Sequence, residues 1–319
     1  MAVYTDVSFE DLEEFLEAYD IGGAQVFKGI AEGVSNSNYY LETDKGRFIL
    51  TLYEKRIDTE ELPFFLGLME HLAAAGLPCP TPVRMRAQSS SGPLNGRIAA
   101  ILTFLEGISL HRPTAEHCHV AGRALAELHR TGADFSGRRD NTLGLEGWKS
   151  LATDCNAHAD GVAVGLQQLI ASELTFLEGK WPKELPRGII HADFFPDNVL
   201  FLDKKVSGII DFYFACYDAL AYDLAVTLNA WCFEQDGGFN VTKSKAMLAG
   251  YQSVRRLTPA ECAALPILSR GAALRFLLTR LYDWVNKSPD ALVRPKDPRQ
   301  FEKRLRFHRN VRNPEEYGL

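Results

Sequence analysis

The chain has 319 residues, of which 46% are hydrophobic and 24% are charged, so it can bury a core as one large domain or as two lobes. Its formal net charge of -6 argues against nucleic acid or an anionic membrane surface as a partner and favours a small-molecule substrate. The six cysteines form no zinc motif and the N-terminus is acidic, which predicts a cytoplasmic protein with reduced thiols. The apolar stretch at 219–233 is shorter than the roughly 20 residues of a spanning helix, so no membrane segment is predicted.

The first hundred residues predict a small antiparallel sheet with one long helix. Apolar residues at helical spacing over 8–19, capped by Ser8, predict a short amphipathic helix. Alternating apolar residues between turn signals predict five strands, at 24–29, 37–43, 47–53, 83–87 and 97–102. The period over 59–75 predicts the long helix, which ends before a proline-rich segment. These elements form a predicted N-terminal, nucleotide-binding lobe, residues 1–103.

The remainder of the chain is mostly helical in pattern. Helical periodicity recurs at 114–130, 148–181, 218–233 and 259–287. Short apolar strands are predicted at 188–191, 199–203 and 206–211. The sequence therefore predicts an α+β fold whose second lobe, residues 104–319, is larger, α-rich, catalytic and substrate-binding.

A polar constellation lies among these short strands. The segment HADFFPDN places His191, Asp193 and Asn198 in a loop between two apolar strands, and Asp211 ends the next strand. Phosphoryl transfer from ATP needs a carboxylate that takes the proton of the attacking hydroxyl, and oxygen ligands for the magnesium ion that bridges the phosphates. Asp193, Asn198 and Asp211 supply such a set.

This spacing resembles the catalytic and metal-binding loops of the aminoglycoside phosphotransferase and choline kinase superfamily, whose fold is two-lobed and protein-kinase-like. The resemblance implies that Asp193 is the catalytic base, that Asn198 and Asp211 bind Mg²⁺, and that His191 braces the loop. It also implies ATP as the second substrate. Asp223, in the helix that follows, is expected either to brace the loop or to act as a first-turn helix acid.

The nucleotide side resembles that superfamily less closely. The segment 32–38 would be the phosphate-binding hairpin, with Gly33, Ser35 and Ser37 as contacts, although its glycine content is low. Thr51 stands where the superfamily usually has a phosphate-binding lysine. Lys55 is an alternative cation, and a solvated surface lysine is its simpler interpretation. The resemblance places the adenine hinge at 102–107, with Thr103 and Leu105.

Longer stretches, such as ELPFFLGLMEHLAAAGLPCPTPV and GIIDFYFACYDALAYDLAV, are similar to homoserine kinases of this superfamily. That resemblance implies L-homoserine as the acceptor and a role in threonine biosynthesis. Homoserine carries a carboxylate and an ammonium group, so its pocket should contain an arginine and an acid. The candidate substrate contacts are Tyr213, Arg275, Arg280 and Asp283, and internal salt bridges would explain these charges about as well.

Two other functions stay open at this point. The same chemistry could act on another alcohol, such as an aminoglycoside, choline or methylthioribose, and a pocket arginine would argue against the cationic acceptors. A catalytically silent nucleotide-binding protein would explain Thr51 and the glycine-poor loop, but it would not need all of Asp193, Asn198 and Asp211. The basic tail at 294–312 is interpreted as a solvated helix face rather than an RNA site, because no aromatic stacking pattern accompanies it.

Overall fold

A computed structural model describes residues 5–30, 36–54, 58–286 and 295–319. The chain divides into two compact units, one of Met1–Gly107 with Ser207–Tyr213 and one of Ile108–Val206 with Phe214–Leu319. The predicted boundary after residue 103 therefore differs from the observed one, because residues 104–107 and 207–213 group with the first unit. Backbone hydrogen bonds explain this grouping, since the amide of Phe104 donates to the carbonyl of Arg47 (3.2 Å) and that of Ile209 to Pro78 (2.8 Å).

The first unit contains a five-stranded sheet in the order β1-β2-β3-β5-β4, with every neighbouring pair antiparallel. Its strands are β1 (Ala24–Gly29), β2 (Ser37–Thr43), β3 (Gly46–Tyr53), β4 (Gly92–Leu94) and β5 (Arg97–Thr103). On β2, alternate residues are buried, as expected of a strand with one face on a core. Four of the five predicted strands are confirmed within about one residue.

The strand predicted at 83–87 is wrong. The chain turns there instead, because the amide of Gln88 donates to the carbonyl of Met85 (2.8 Å) and Gln88 has a positive φ of 68°. The pairing strand is β4, which begins only at Gly92. The predicted Asn95-Gly96 turn does connect β4 to β5, and both residues have the positive φ that such a turn requires.

In the described part of the first unit, two α-helices accompany the sheet, α1 (Phe9–Leu16) and α2 (Leu62–Ala74). Ser8 caps α1 as predicted, since its hydroxyl accepts from the amide of Asp11 while the Asp11 carboxylate accepts from the amide of Ser8, each at 3.1 Å. The buried face of α1 belongs to the same apolar cluster as the inward residues of the sheet. This cluster is the core of the unit.

The second unit is predominantly helical. Its helices are α3 (Ala115–Thr131), α4 (Leu145–Cys155), α5 (Ala159–Val162), α6 (Leu166–Lys180), α7 (Leu220–Trp231), α8 (Val241–Gln252), α9 (Pro259–Val285) and α10 (Arg299–Asn310). Strands β6 (Arg187–Ile190) and β9 (Cys216–Ala219) pair antiparallel. The strands between them in sequence are β7 (Val199–Leu202) and β8 (Lys205–Ile209). The α+β prediction is confirmed.

The central helix of this unit is α9. Of the described helices, it alone is long and apolar enough to cross a membrane, but 72% of its most apolar stretch is buried inside the protein. It packs against α4, α7 and α10, so its composition is that of a core helix. Arg275 lies at the middle of α9 with only 2% of its surface exposed, so the centre of this apolar core holds a charge.

Helices α3 and α8 approach each other closely at two glycines. A Cβ atom on Gly122 would lie 2.2 Å from the carbonyl oxygen of Met247, and one on Gly250 would lie 1.9 Å from that of His119. Only glycine therefore permits this crossing. It brings Tyr251, next to Gly250, within 2.8 Å of His129 on α3.

Candidate active site

The segment from Ile190 to Val199 folds tightly around Asp193. The amide of Asp193 donates to Nδ1 of His191 (3.3 Å), and the carbonyl of Asp193 accepts from the amide of Phe195 (2.8 Å). A single 3₁₀ turn, Pro196–Asn198, then returns the chain to β7. These bonds fix the backbone on both sides of the predicted catalytic base.

Asn198 is oriented by Asp193. Its amide nitrogen donates to the carbonyl oxygen of Asp193 (2.8 Å) and to its Oδ2 (2.9 Å). Because both partners are acceptors, the nitrogen must face them, and the carbonyl oxygen of the Asn198 amide points elsewhere. In the described part of the chain no group donates a hydrogen bond to that oxygen, so it is available to a cation.

The Asp193 carboxyl is partly exposed but surrounded by protein. Burial raises its pKa above the usual value, while the charges of Arg275, His191 and Lys296 act in the opposite direction. A carboxylate with a raised pKa is the stronger proton acceptor, and the positive charges of Arg275 and Lys296 favour its charged form. The predicted role of Asp193 as the base is compatible with this environment and stays a prediction.

Asp223 braces the loop, as one of its two interpretations predicts. Its carboxylate accepts hydrogen bonds from the amides of His191 (2.7 Å) and Ala192 (2.8 Å), and it lies 3.0 Å from Nε2 of His129. Burial opposes its ionisation, but these bonds and the neighbouring imidazoles hold its pKa below the usual range. A buried carboxylate on α7 thus anchors the two residues before Asp193.

Asp211 and the predicted nucleotide contacts at Ser37 and Thr51 belong to the first unit. Asp211 follows β8, which ends at Ile209, and has a positive φ of 63°. The Ser37 hydroxyl is buried and donates to Glu54 (2.7 Å), and the Thr51 hydroxyl donates to Asn38 (2.8 Å). Both hydroxyls therefore already have partners within the sheet, and their contact with a nucleotide stays a prediction.

The other nucleotide predictions divide into two groups. Gly33, Ser35 and Lys55 lie outside the described residues. Thr103 ends β5, where its hydroxyl accepts from the amide of Thr81 (2.9 Å), and Leu105 follows in a segment without regular structure. Neither position contradicts a hinge role, and neither tests it.

No group of three or more His, Cys, Asp and Glu side chains in the described ranges is placed to hold a metal ion. Magnesium that accompanies a nucleotide is usually held by one or two carboxylates together with phosphate oxygens and water. The predicted ligands Asn198 and Asp211 are of that kind, and the free amide oxygen of Asn198 suits the role.

Comparison with known proteins identifies the family of the chain. Residues 26–257 match the model of the phosphotransferase enzyme family. The chain belongs to the phosphotransferase enzyme family. It is 60% identical to a homoserine kinase of Xanthobacter autotrophicus, over 100% of this chain and 99% of the relative, and 56% identical to a homoserine kinase of Rhizobium meliloti, over 100% and 98%.

Solved phosphotransferase structures share the fold. An amicoumacin kinase in complex with AMP-PNP and Ca²⁺ has a TM-score of 0.68 at 15% identity, covering 93% of this chain and 91% of that one. A spectinomycin phosphotransferase in complex with ADP has a TM-score of 0.67 at 14% identity, covering 98% and 97%. At such identities the likeness shows the fold alone, and it confirms the predicted protein-kinase-like architecture.

Two of the four substrate candidates of this phosphotransferase have internal partners. The Tyr213 hydroxyl lies 3.2 Å from that of Tyr53, and its ring packs edge-on against Tyr53 and Phe65 in the first unit. Asp283 lies near α4, where its charge adds to the effect of burial that raises the pKa of Cys155 to about 11. Their contact with substrate stays a prediction.

The two arginine candidates differ in exposure. Arg275 is buried and donates to the carbonyl of Ala192, in the loop of Asp193. Arg280 is partly exposed, stacks on Phe301 with its guanidinium 4.5 Å from the ring centre, and donates to the side chain of Gln300 (2.8 Å). Burial lowers the pKa of Arg280 to about 10, and the carboxylate of Asp193 acts against that shift. Within the described ranges Arg280 forms no salt bridge.

A chain of polar side chains behind the loop was not predicted from the sequence. His129 lies 2.8 Å from the hydroxyl of Tyr251, which accepts from Arg255 (3.1 Å), and Arg255 pairs with the buried carboxylate of Glu261 (2.8 Å). A lone histidine on the apolar face of α3 signals only a core position. Its partners come from α7 and α8, so spacing along the sequence could not identify them.

Proposed function

We propose that this phosphotransferase is a homoserine kinase that transfers the γ-phosphate of ATP to the side-chain hydroxyl of L-homoserine. The hydroxyl oxygen forms the new bond to phosphorus, the bond between the γ-phosphorus and the bridging oxygen breaks, and O-phospho-L-homoserine and ADP leave. The full-length identity of 56–60% to curated homoserine kinases carries this proposal. The catalytic loop supplies the chemistry that it requires.

Asp193 is the proposed base. Its carboxylate accepts the hydroxyl proton as the oxygen attacks, and the proton then passes to solvent. The bonds from Asn198 and from the amide of Phe195 hold Asp193 in one orientation, so the attacking hydroxyl meets a fixed acceptor. His191 contributes through its bond to the Asp193 amide rather than by proton transfer.

The proposed metal is Mg²⁺, with Asn198 and Asp211 as its protein ligands. A bound magnesium ion would neutralise charge that develops on the transferring phosphoryl group. Asn198 would contribute its amide oxygen, because its nitrogen is committed to Asp193. Gly33, Ser35, Ser37, Thr51, Thr103 and Leu105 are the proposed nucleotide contacts.

Arg280 is the proposed partner of the substrate carboxylate. The contacts that support this role connect it to the loop of Asp193. Its Nη1 donates to the backbone carbonyl of Asp297 (3.4 Å), and the preceding residue, Lys296, pairs with Asp197 of the loop (3.1 Å). A half-buried guanidinium without a carboxylate partner is a ready anion site. Tyr213 and Asp283 stay weaker candidates for substrate contact.

The acceptor can be tested by ADP release with Mg-ATP across L-homoserine, choline, methylthioribose and an aminoglycoside. We expect turnover with L-homoserine, its loss in Asp193→Asn, and near-normal turnover in Asp203→Asn, an exposed carboxylate in the turn between β7 and β8. Turnover with another alcohol would retain the kinase and refute the homoserine assignment. ATP binding without any turnover would indicate a silent nucleotide-binding protein.

The role of Arg280 needs a substrate that lacks the carboxylate. We expect Arg280→Gln to raise the KM for L-homoserine by about 10- to 100-fold, the value of one charge-assisted contact, and to leave the weak turnover of 3-amino-1-propanol unchanged. Arg306→Gln, an exposed arginine of α10 paired with Glu302, is the matched control. Equal losses with both acceptors would refute carboxylate binding by Arg280. Cytoplasmic localisation and a place in threonine biosynthesis follow as part of the proposal.

A further inference from the structure

The backbone of Ala192, the residue before the proposed base, is unusual. Its φ is 61°, in the left-handed region that a residue with a Cβ rarely adopts. Such a conformation persists only where its surroundings impose it. It determines how the chain leaves β6 and therefore where the carboxyl of Asp193 lies.

Both polar groups of Ala192 are held by buried charges of opposite sign. Its amide donates to the carboxylate of Asp223 on α7 (2.8 Å), and its carbonyl accepts from Nη1 of Arg275 on α9. Ala192, Asp223 and Arg275 are each at most 2% exposed. Side chains from two core helices, α7 and α9, thus hold the amide and the carbonyl of the same residue.

Arg275 has few other polar partners. It forms no salt bridge in the described part of the chain, and its Nε has no hydrogen-bond partner there. Its guanidinium interacts with the Tyr222 side chain, and its charge opposes the burial that raises the pKa of Asp193. The guanidinium carbon also lies 4.5 Å from the ring centre of Phe276 and 5.4 Å from that of Phe214. Burying a guanidinium without a counter-charge is unfavourable because the group loses its hydration. We expect the hydrogen bond to the Ala192 carbonyl to offset this cost by stabilising the loop.

We infer that Arg275 is a positioning residue that, together with Asp223, clamps Ala192 in its left-handed conformation and so fixes Asp193. This role is an alternative to the predicted substrate contact for Arg275, because only 2% of the residue is exposed. It deepens the proposed kinase function and assigns Arg275 no contact with the reacting atoms.

The clamp predicts a specific kinetic signature. We expect Arg275→Ala to lower kcat about 100-fold, as for a catalytic group displaced by about an ångström, while the KM values for ATP and L-homoserine change less than about threefold. Added guanidinium ion should restore part of kcat by entering the vacated space. Arg275→Lys should retain more activity than Arg275→Ala, because an ammonium can still donate to the carbonyl.

Arg270→Ala is the matched control. Arg270 lies on the same helix with a side chain that is 13% exposed, and its charge pairs with Glu173 (2.7 Å). Its loss should reduce stability without a guanidinium-dependent change in kcat. Equal responses of the two variants to guanidinium would overturn the clamp, and so would an Arg275→Ala enzyme with normal kcat and a raised KM for L-homoserine, which indicates substrate binding.

Hydrogen exchange separates the clamp from the acceptor assignment. The amides of His191 and Ala192 should exchange faster in Arg275→Ala than in Arg270→Ala, whether or not L-homoserine is the substrate. Wild-type enzyme without L-homoserine turnover, combined with this faster exchange, would refute the proposed acceptor alone. Unchanged exchange in Arg275→Ala would refute the clamp alone.

Discussion

The acid stability of this protein should depend on one buried histidine. His308 on α10 is fully buried, with Nδ1 2.7 Å from the hydroxyl of Tyr317 and Nε2 3.1 Å from Oδ1 of Asn229. The Asn229 amide nitrogen donates to two backbone carbonyls, so its oxygen faces His308 and requires a donor. The imidazole is therefore neutral, with its proton on Nε2 and with Tyr317 donating to Nδ1.

The size of the stability loss on acidification follows from the pKa of His308. Burial lowers the pKa of His308 from 6.5 to about 3, and the charges of Arg304 and Arg270 add to this effect. Below about pH 6.5 the unfolded chain binds a proton at this residue that the folded protein does not bind, so stability falls as pH falls. Between about pH 7.5 and about pH 5 the loss from His308 alone is about 2 kcal/mol.

Denaturant unfolding at those two pH values measures this effect. We expect His308→Gln to lose about 2 kcal/mol less than the wild type over the interval, although it is less stable than the wild type at neutral pH. His158→Gln, an exposed histidine, should behave as the wild type does. Equal pH-dependent losses in wild type and His308→Gln would refute the neutral, buried imidazole.

Three further changes test other parts of the structure. Gly250→Ala should cost about 1–3 kcal/mol of unfolding free energy, because its Cβ would clash with the carbonyl of His119, and a variant as stable as the wild type in denaturant would refute the close crossing. Glu173→Gln should cost about 3–5 kcal/mol in the same assay, since it leaves Arg270 without its counter-charge, and a loss under about 1 kcal/mol would contradict that role. Asn198→Ala should raise the Mg²⁺ concentration needed for half-maximal activity, and an unchanged Mg²⁺ titration would contradict the ligand assignment.

Local signals predicted much of the fold. The capping box at Ser8 and the turn at Asn95-Gly96 involve residues close in sequence, so their chemistry can be recognised there. The strand predicted at 83–87 failed because apolar residues near β4 resemble a strand, while the turn that ends at Gln88 depends on hydrogen bonds that the pattern does not show. Helix α8 was not predicted, because it contacts α3 through small residues such as Gly250 and has little amphipathic contrast.

The same difference between signals close in sequence and contacts between distant elements holds for the candidate site. The spacing of His191, Asp193 and Asn198 identified the loop, because the three residues lie within one short segment. The family resemblance offered bracing of the loop as one of two roles for Asp223, and its hydrogen bonds to the amides of His191 and Ala192 show which role holds. The support from Arg275 could not be found from spacing, since it comes from a distant helix. The sequence did indicate that a charge at Arg275 on an apolar helix needs a partner. Only the fold shows that this partner is the carbonyl of Ala192.

The most direct test of the account is the identity of the phosphorylated product. Wild-type protein would be incubated with Mg-ATP and an equimolar mixture of L-homoserine, choline, methylthioribose and an aminoglycoside, and the products would be identified by mass spectrometry. We expect O-phospho-L-homoserine as the main phosphorylated product, in a yield equal to the ADP released, and none from Asp193→Asn. A different phosphorylated alcohol, or ADP without any phosphorylated acceptor, would contradict it.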